Sequence, residues 1–314
     1  MANENTKKPD EALFCPAPIS NIDFPVSTYS TDLSQLYMRM IRWQWHDEIE
    51  LTIVTSGHAL LRLSDQNIPL APGEGFFLNQ NQLHSIRSAD KEACTLHTLK
   101  FHPSFLFGYG KTSMSAKYLT PVLSSPFLHF LILKRQDDAT KEMLRLAQET
   151  YFYCTEKKFG YELAVKSLLC YFWKLLLPFA APRKGAVTEL PHVSMDSTRI
   201  KEAILFIEKK HMEPLTLEEI SASIHVSKSE CCRCFRRSLG ITPFEYLMKY
   251  RIFESTRKIM RGDEAAKSIS TLAASVGFNS TSYYNKLFKK YLNCTPTEYI
   301  KSIQKPNSYF AKKV

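Results

Sequence analysis

The residues best suited to chemistry in this 314-residue chain are hydrogen-bond donors and cations spaced along two helical faces. Read at helical period, the stretch from Thr281 to Leu292 puts Tyr284, Leu287, Phe288 and Leu292 on one apolar stripe. Thr281, Ser282, Asn285, Lys286, Lys289 and Lys290 fall on the other face. Short polar groups for base edges, together with cations for phosphates, are what a helix needs to lie in a DNA major groove. An earlier stretch repeats the arrangement, with Ser229, Cys232 and Arg233 outward and Lys228, Arg236 and Arg237 as its cations. Arg233 and Lys286 hold matching positions, and both would donate to guanine O6 and N7. Cys231, Cys232 and Cys234 suggest a metal cluster at first sight. On a helix, however, Cys231 and Cys234 join the buried stripe with Phe235, and no second Cys or His pair follows at zinc-finger spacing.

Each of these helices needs a short helix and a sharp turn ahead of it. Leu272 and Val276 lie one turn apart on such a helix, Gly277 permits a positive φ, and Phe278 fills the angle. Ile220 and Ile224 repeat Leu272 and Val276 at an offset of 52 residues, whereas Phe235, Arg236, Arg237 and Leu239 repeat Phe288, Lys289, Lys290 and Leu292 at 53. One residue is therefore inserted in the second turn. Thr216-x-x-Glu219, Ser227-x-x-Glu230, Thr242-x-x-Glu245 and Thr295-x-x-Glu298 read as capping boxes, two of them with Pro at the first helical position. A helix from Pro243 to about Arg261 joins the units and would span about 28 Å, close to one DNA turn of about 34 Å.

This pair of units resembles the DNA-binding domain of the AraC/XylS family of transcription regulators over about residues 196–302. The densest signature is Leu272-Ala273, Ser275-Val276-Gly277-Phe278, Ser280-x-Ser282-Tyr283-Tyr284, Phe288-Lys289-Lys290 and Thr295-Pro296. Asn293 stands where the family has Gly, and Ile300 where it often has Arg. The resemblance implies a sequence-specific regulator of promoter DNA, leaning to activation and hence to contact with RNA polymerase.

Charge supports a polyanionic partner. The net formal charge is +10, and +9 of it lies from Asp196 onward. Single-strand aromatic platforms are not evident, so RNA or a membrane surface is the weaker reading of the basic half. The start of the chain is polar with no apolar leader, which predicts a cytoplasmic protein with reduced thiols. The apolar run from Leu168 to Ala181 is interrupted by Lys174 and Pro178 and reads as too short to cross a bilayer.

The first half reads as a separate β domain, 31–134, after a Pro-rich arm, 1–30. Trp45-His46-x3-Glu50, then Pro72-Gly73-Glu74-Gly75 and His84, resembles the cupin jelly roll. Cupin enzymes hold metal through two His on one strand, a Glu and a later His. Gln44 replaces one of them here, leaving His46, Glu50 and His84 as the metal alternative. The preferred expectation is no cofactor and a small organic effector, a sugar or other metabolite, bound by Trp43, Trp45, His46, Glu50 and His84. Alternation puts Trp43 and Trp45 on one face and His46 on the other.

Residues 137–181 read as a helical hairpin, which in the resembling regulators makes the homodimer, and 182–197 as a linker to the DNA-binding domain, 198–303. The expected architecture is thus an all-β cupin-like domain with a helical hairpin, followed by an all-α double helix-turn-helix at about 217–238 and 269–291. The function expected is regulation without catalysis. A metal-dependent cupin enzyme with a helical appendage is the competing reading.

Overall fold

A computed structural model describes residues 24–63, 66–108, 112–181 and 195–304. They form two compact units that divide after Val193.

The first unit is a sandwich of antiparallel strands: β1 (Val26–Asp32), β2 (Met40–Gln44), β3 (Ile49–Ser56), β4 (Ala59–Leu63), β5 (Gln66–Leu70), β6 (Gly75–Leu78), β7 (His84–Ser88), β8 (Thr95–Phe101) and β9 (Phe130–Leu133). One sheet has the order β1-β8-β3-β6-β9 and the other β2-β7-β4-β5. Two short helices, α1 (Ser104–Phe107) and α2 (Thr120–Leu123), precede β9. The long helices α3 (Asp138–Glu156) and α4 (Tyr161–Ala180) follow it.

Strand alternation splits β3 and β8 between two cores. Leu51, Ile53, Leu99 and Phe101 face α3 and α4, where Met143, Ala147, Phe172 and Trp173 cover them. Val54 and Leu96 face the other sheet and pack on Leu61, Phe76 and Ile86. The hairpin therefore closes the outer face of the five-stranded sheet, and the sandwich interior stays between the sheets.

Two expectations need correction. Residues 26–30 of the expected arm belong to β1, which pairs along its length with β8. The prolines end at Pro25, and a β-branched run begins directly after it. The rest of the arm up to residue 23, and residues 182–194 of the expected linker, lie outside the described residues. The apolar run is part of a helix that continues through Pro178 and is long and apolar enough to cross a membrane by length and composition. It is used here as a core helix: Val165, Leu169, Phe172, Trp173 and Leu176 are buried, and the Trp173 indole N–H donates to the Tyr118 carbonyl at 2.9 Å.

The second unit is all-helical: α5 (Met195–Lys210), α6 (Leu217–Ser223), α7 (Lys228–Leu239), α8 (Pro243–Met260), α9 (Ile269–Ser275), α10 (Thr281–Leu292) and α11 (Pro296–Gln304). Thr216 and Thr242 make both bonds of a capping box with Glu219 and Glu245, and Thr295 does so with Glu298. Ser227 caps α7 by accepting from the Glu230 N–H. Here the expected reciprocal bond is not made among the described residues, because the Glu230 carboxylate turns to arginines instead.

Candidate functional sites

The helical unit holds two helix–turn–helix pairs, α6/α7 and α9/α10. In the first turn His225 has φ 54° and the Val226 N–H donates to the Ser221 carbonyl. In the second, Gly277 has φ 89° and the Phe278 N–H donates to the Ala273 carbonyl. Val226 thus corresponds to Phe278. The N-caps Ser227 and Ser280 correspond as well, which makes Asn279 the inserted residue.

Helices α7 and α10 present their expected faces. Cys231, Cys234, Phe235 and Leu239 are buried in the first, and Tyr284, Leu287 and Phe288 in the second. Burial pushes the Cys231 thiol up to about 11, which makes it an inert packing group. The Tyr284 hydroxyl donates to Ser255 Oγ on α8 at 3.2 Å. Lys228, Ser229, Arg233, Arg236, Arg237, Ser282, Lys286, Lys289 and Lys290 are exposed, and Cys232 and Thr281 are half-buried. Asn285 is also half-buried, with its Oδ1 buried and unmatched. Asn293 caps α10 in the left-handed conformation, doing the work of Gly240 at the end of α7.

The cations of α7 are not independent. Lys228 pairs with Glu218. Glu230 accepts from Arg237 and from Arg233, and the two together draw its carboxyl down to about 2. A residue not singled out from sequence, Arg251 on α8, braces the two pairs. Its Nε donates to the His211 carbonyl at 2.6 Å and its Nη2 to the Glu213 carbonyl at 2.7 Å. The same guanidinium lies over the Phe278 ring and against Gly277, where a Cβ would sit 2.5 Å from the His211 carbonyl oxygen. An Arg within an otherwise apolar stretch, Tyr250 to Phe253, was the available signal.

In the sandwich interior, the faces of β3 and β8 that carry Val54 and Leu96 also carry Glu50, Thr52, Thr98 and Lys100, all buried. Glu50 Oε2 lies 2.9 Å from His46 Nε2, 3.0 Å from Lys100 Nζ and 3.4 Å from His84 Nε2. Its Oε1 accepts from the Thr52 hydroxyl at 2.8 Å, and Thr52 meets Thr98 at 2.8 Å. Burial alone would raise the Glu50 carboxyl. The charge of Lys100 and the hydrogen bond from His46 hold it well below the usual range. Burial lowers the pKa of His84. Its Nδ1–H donates to the Gln82 carbonyl at 2.8 Å, and its Nε2 accepts from the Gln44 amide at 3.1 Å. The Lys100 contact is an ion contact off hydrogen-bond geometry, and the ammonium has no directed acceptor among the described residues.

His46, Glu50 and His84 lie close enough to share an ion. Lys100, however, already places a positive charge at the carboxylate oxygen that would bind it. Gln44 faces this cluster. The tryptophans do not join it as a pair. Gln44 and His46 both reach the cluster, so the alternation that sets Trp43 opposite His46 holds and puts Trp43 on the outer face. Trp43 packs under the Arg62 guanidinium at 4.9 Å, and Arg62 alternates with the inward Leu61 and Leu63, on the outer face of the four-stranded sheet. Trp45 is half-buried beyond the strand end. A separate cavity of about 270 Å³ lies between β3, β8 and α3, lined in part by Leu51, Leu99 and the stacked rings of His97 and Tyr151. None of the expected effector residues lines it.

Comparison with known proteins finds both halves. Residues 36–172 match the AraC-like ligand binding domain, and 220–302 match a helix-turn-helix domain. The HTH-type transcriptional regulator YdeC of Bacillus subtilis is 29% identical over 89% of this chain and 93% of its own. An HTH-type transcriptional regulator of Haemophilus influenzae is 21% identical over 80% of this chain and 85% of its own. The solved structure of ToxT from Vibrio cholerae aligns over 90% of this chain and 99% of its own, with 14% identity and a TM-score of 0.43.

Proposed function

The chain belongs to the AraC-type family of transcriptional regulators, and from that premise we propose that it reads a promoter with α7 and α10 under the control of a small organic effector in the sandwich interior. DNA binding and a ligand-binding domain come with the family. The finer reading assigns base contacts to Ser229, Cys232 and Arg233 on α7 and to Thr281, Ser282 and Lys286 on α10, with Asn285 joining once its amide turns outward. Phosphates fall to Lys228, Arg236, Arg237, Lys289 and Lys290. The observation that carries this reading is the joining helix. Its 18 residues span about 27 Å at 1.5 Å each, and Arg251 ties α8 to the loop that follows α5. Both reading helices then enter successive major grooves on one DNA face. Hydroxyl-radical footprinting on a selected site tests it. Protection over two adjacent turns on one face is expected, and protection of a single turn refutes it.

In the sensor, Glu50 as acceptor and Lys100 and Gln44 as donors suit a small polar organic molecule that offers both hydrogen-bonding roles. Lys100 argues against a resident metal, and we assign no catalytic step. The exposed Phe152, Phe159 and Leu163 on and between α3 and α4 support a homodimer through the hairpin. The reading is completed by a cytoplasmic location, no membrane contact, and activation through RNA polymerase, all of which the family resemblance favours.

A further inference from the structure

We propose that Glu230 is a positioning residue for base reading: it grips Arg233 by one edge of the guanidinium and aims the other edge at the DNA. The proposal rests on the assignment of Arg233 to a base contact. Arg233 Nε donates to Glu230 Oε2 at 2.8 Å and Arg233 Nη2 lies 2.6 Å from the same oxygen. The other carboxylate oxygen, Oε1, accepts from Arg237 Nη2 at 2.7 Å. A guanidinium has five N–H groups in a fixed planar fork. Bonding through Nε and Nη2 uses one edge and leaves the end bearing Nη1 and Nη2 free. That end supplies the two parallel donors that guanine O6 and N7 accept.

The three residues are spaced i, i+3 and i+7, so they share one stripe of α7. The Arg233 side chain is 63% exposed. A pair this exposed adds little to folding. Its value lies in removing rotamer freedom from Arg233 before DNA arrives. The second unit lacks the device. At the offset of 53, Tyr283, Lys286 and Lys290 replace Glu230, Arg233 and Arg237. A lysine is a flexible point charge with no fork to brace. The first unit therefore supplies sharp discrimination at one base pair, and the second supplies mostly affinity. Glu230 also has a cost: a carboxylate at the groove repels phosphates of every sequence.

This gives a signature that a merely structural residue would not produce. Full-length Glu230→Ala should bind a random duplex several-fold more tightly at low salt, because a negative charge is gone. The same variant should lose about tenfold or more of its preference at the base pair read by Arg233, with positions read by α10 unchanged. Selection from a randomised duplex library measures the preferences, and anisotropy titrations on random DNA measure the affinity. If Glu230→Ala melts early, Glu230→Gln keeps the side-chain length and one oxygen and supplies the same comparison. An unchanged preference in the Glu230 variant, where Arg233→Ala erases it, overturns the proposal alone. A uniform loss at all positions also overturns it. If Arg233→Ala moves no position, the base-contact assignment fails and the proposal falls with it.

Discussion

Replacing Gly277 by Ala should dismantle the brace between the two helix–turn–helix pairs. The backbone there has φ 89°, which costs an L-residue about 1–2 kcal/mol. The added Cβ would lie 2.5 Å from the His211 carbonyl oxygen and 2.9 Å from Arg251 Nε. Both cannot stay, and the atoms that must move are the donor and acceptor of one hydrogen bond. A bond to a charged donor contributes about 1.5–3 kcal/mol. The two terms together predict a loss of about 3–5 kcal/mol in the helical unit. Urea melts followed by helical circular dichroism on the full chain measure it, and specific DNA binding should fall with it. His225→Gly is the control. His225 has φ 54° at the matching turn and is exposed, so glycine there should be neutral or stabilising by up to about 1 kcal/mol. A Gly277→Ala protein within about 0.5 kcal/mol of wild type would refute the steric argument.

Other perturbations separate the remaining roles. Lys289→Ala should weaken all sequences alike and flatten the salt slope by about one unit, whereas Arg233→Ala should cost about 1–3 kcal/mol on the cognate site and relax one base position; salt titrations and site selection distinguish them. Phe159→Glu with Leu163→Glu should convert a dimer to a monomer in sedimentation, and an unchanged dimer moves the interface elsewhere. The sensor should lose stability in two stages on acidification. His84 is held neutral by burial, so the unfolded chain binds its proton first and stability falls below about pH 6.5; the depressed Glu50 carboxyl adds a further loss below about pH 4.5. Melting temperatures from pH 8 to pH 4 follow both stages, and His84→Gln should shrink the first, leaving the part due to His97 and His129, whose pKa values burial also lowers. Purified protein should carry only substoichiometric divalent metal, and Lys100→Ala should gain metal affinity at His46, Glu50 and His84; stoichiometric metal in the wild type would overturn the organic-effector reading.

The helical half was legible because its signals are local. Apolar period, caps and turn residues each act within a few positions, and the change of offset located the extra residue now seen at Asn279. Arg251 was not legible as a brace, because its partners His211 and Glu213 lie about forty positions away and nothing in an isolated Arg names a distant carbonyl. The sensor behaved differently. Strand existence followed from alternation, and alternation also set Trp43 opposite His46, but it did not say which face is inward; His46 takes the interior cluster and Trp43 meets Arg62 outside. His46, Glu50 and His84 converge as their motif suggested, but Lys100 joins them from β8, where only the pairing with β3 brings it opposite Glu50.

Lys100 changes what that convergence means. Three ligands around an empty centre would favour a divalent ion, with its charge offset by Glu50. An ammonium 3.0 Å from Glu50 Oε2 neutralises the carboxylate already, so a metal would enter only by displacing a buried cation. The reverse exchange is easier. An organic molecule carrying a hydroxyl or carbonyl can satisfy the Lys100 donors, which have no directed acceptor among the described residues, while its own donors go to Glu50. The ion pair stays intact and its unmet hydrogen bonds are completed. A buried polar group left unmatched costs about 1–3 kcal/mol, and an effector that matches it recovers that amount as differential affinity for the ordered sandwich. Coupling between effector and DNA needs a difference of this kind between two states of the sensor. Replacing Lys100 by Met should therefore weaken effector binding and its effect on DNA affinity together, while leaving the DNA affinity of the effector-free protein unchanged.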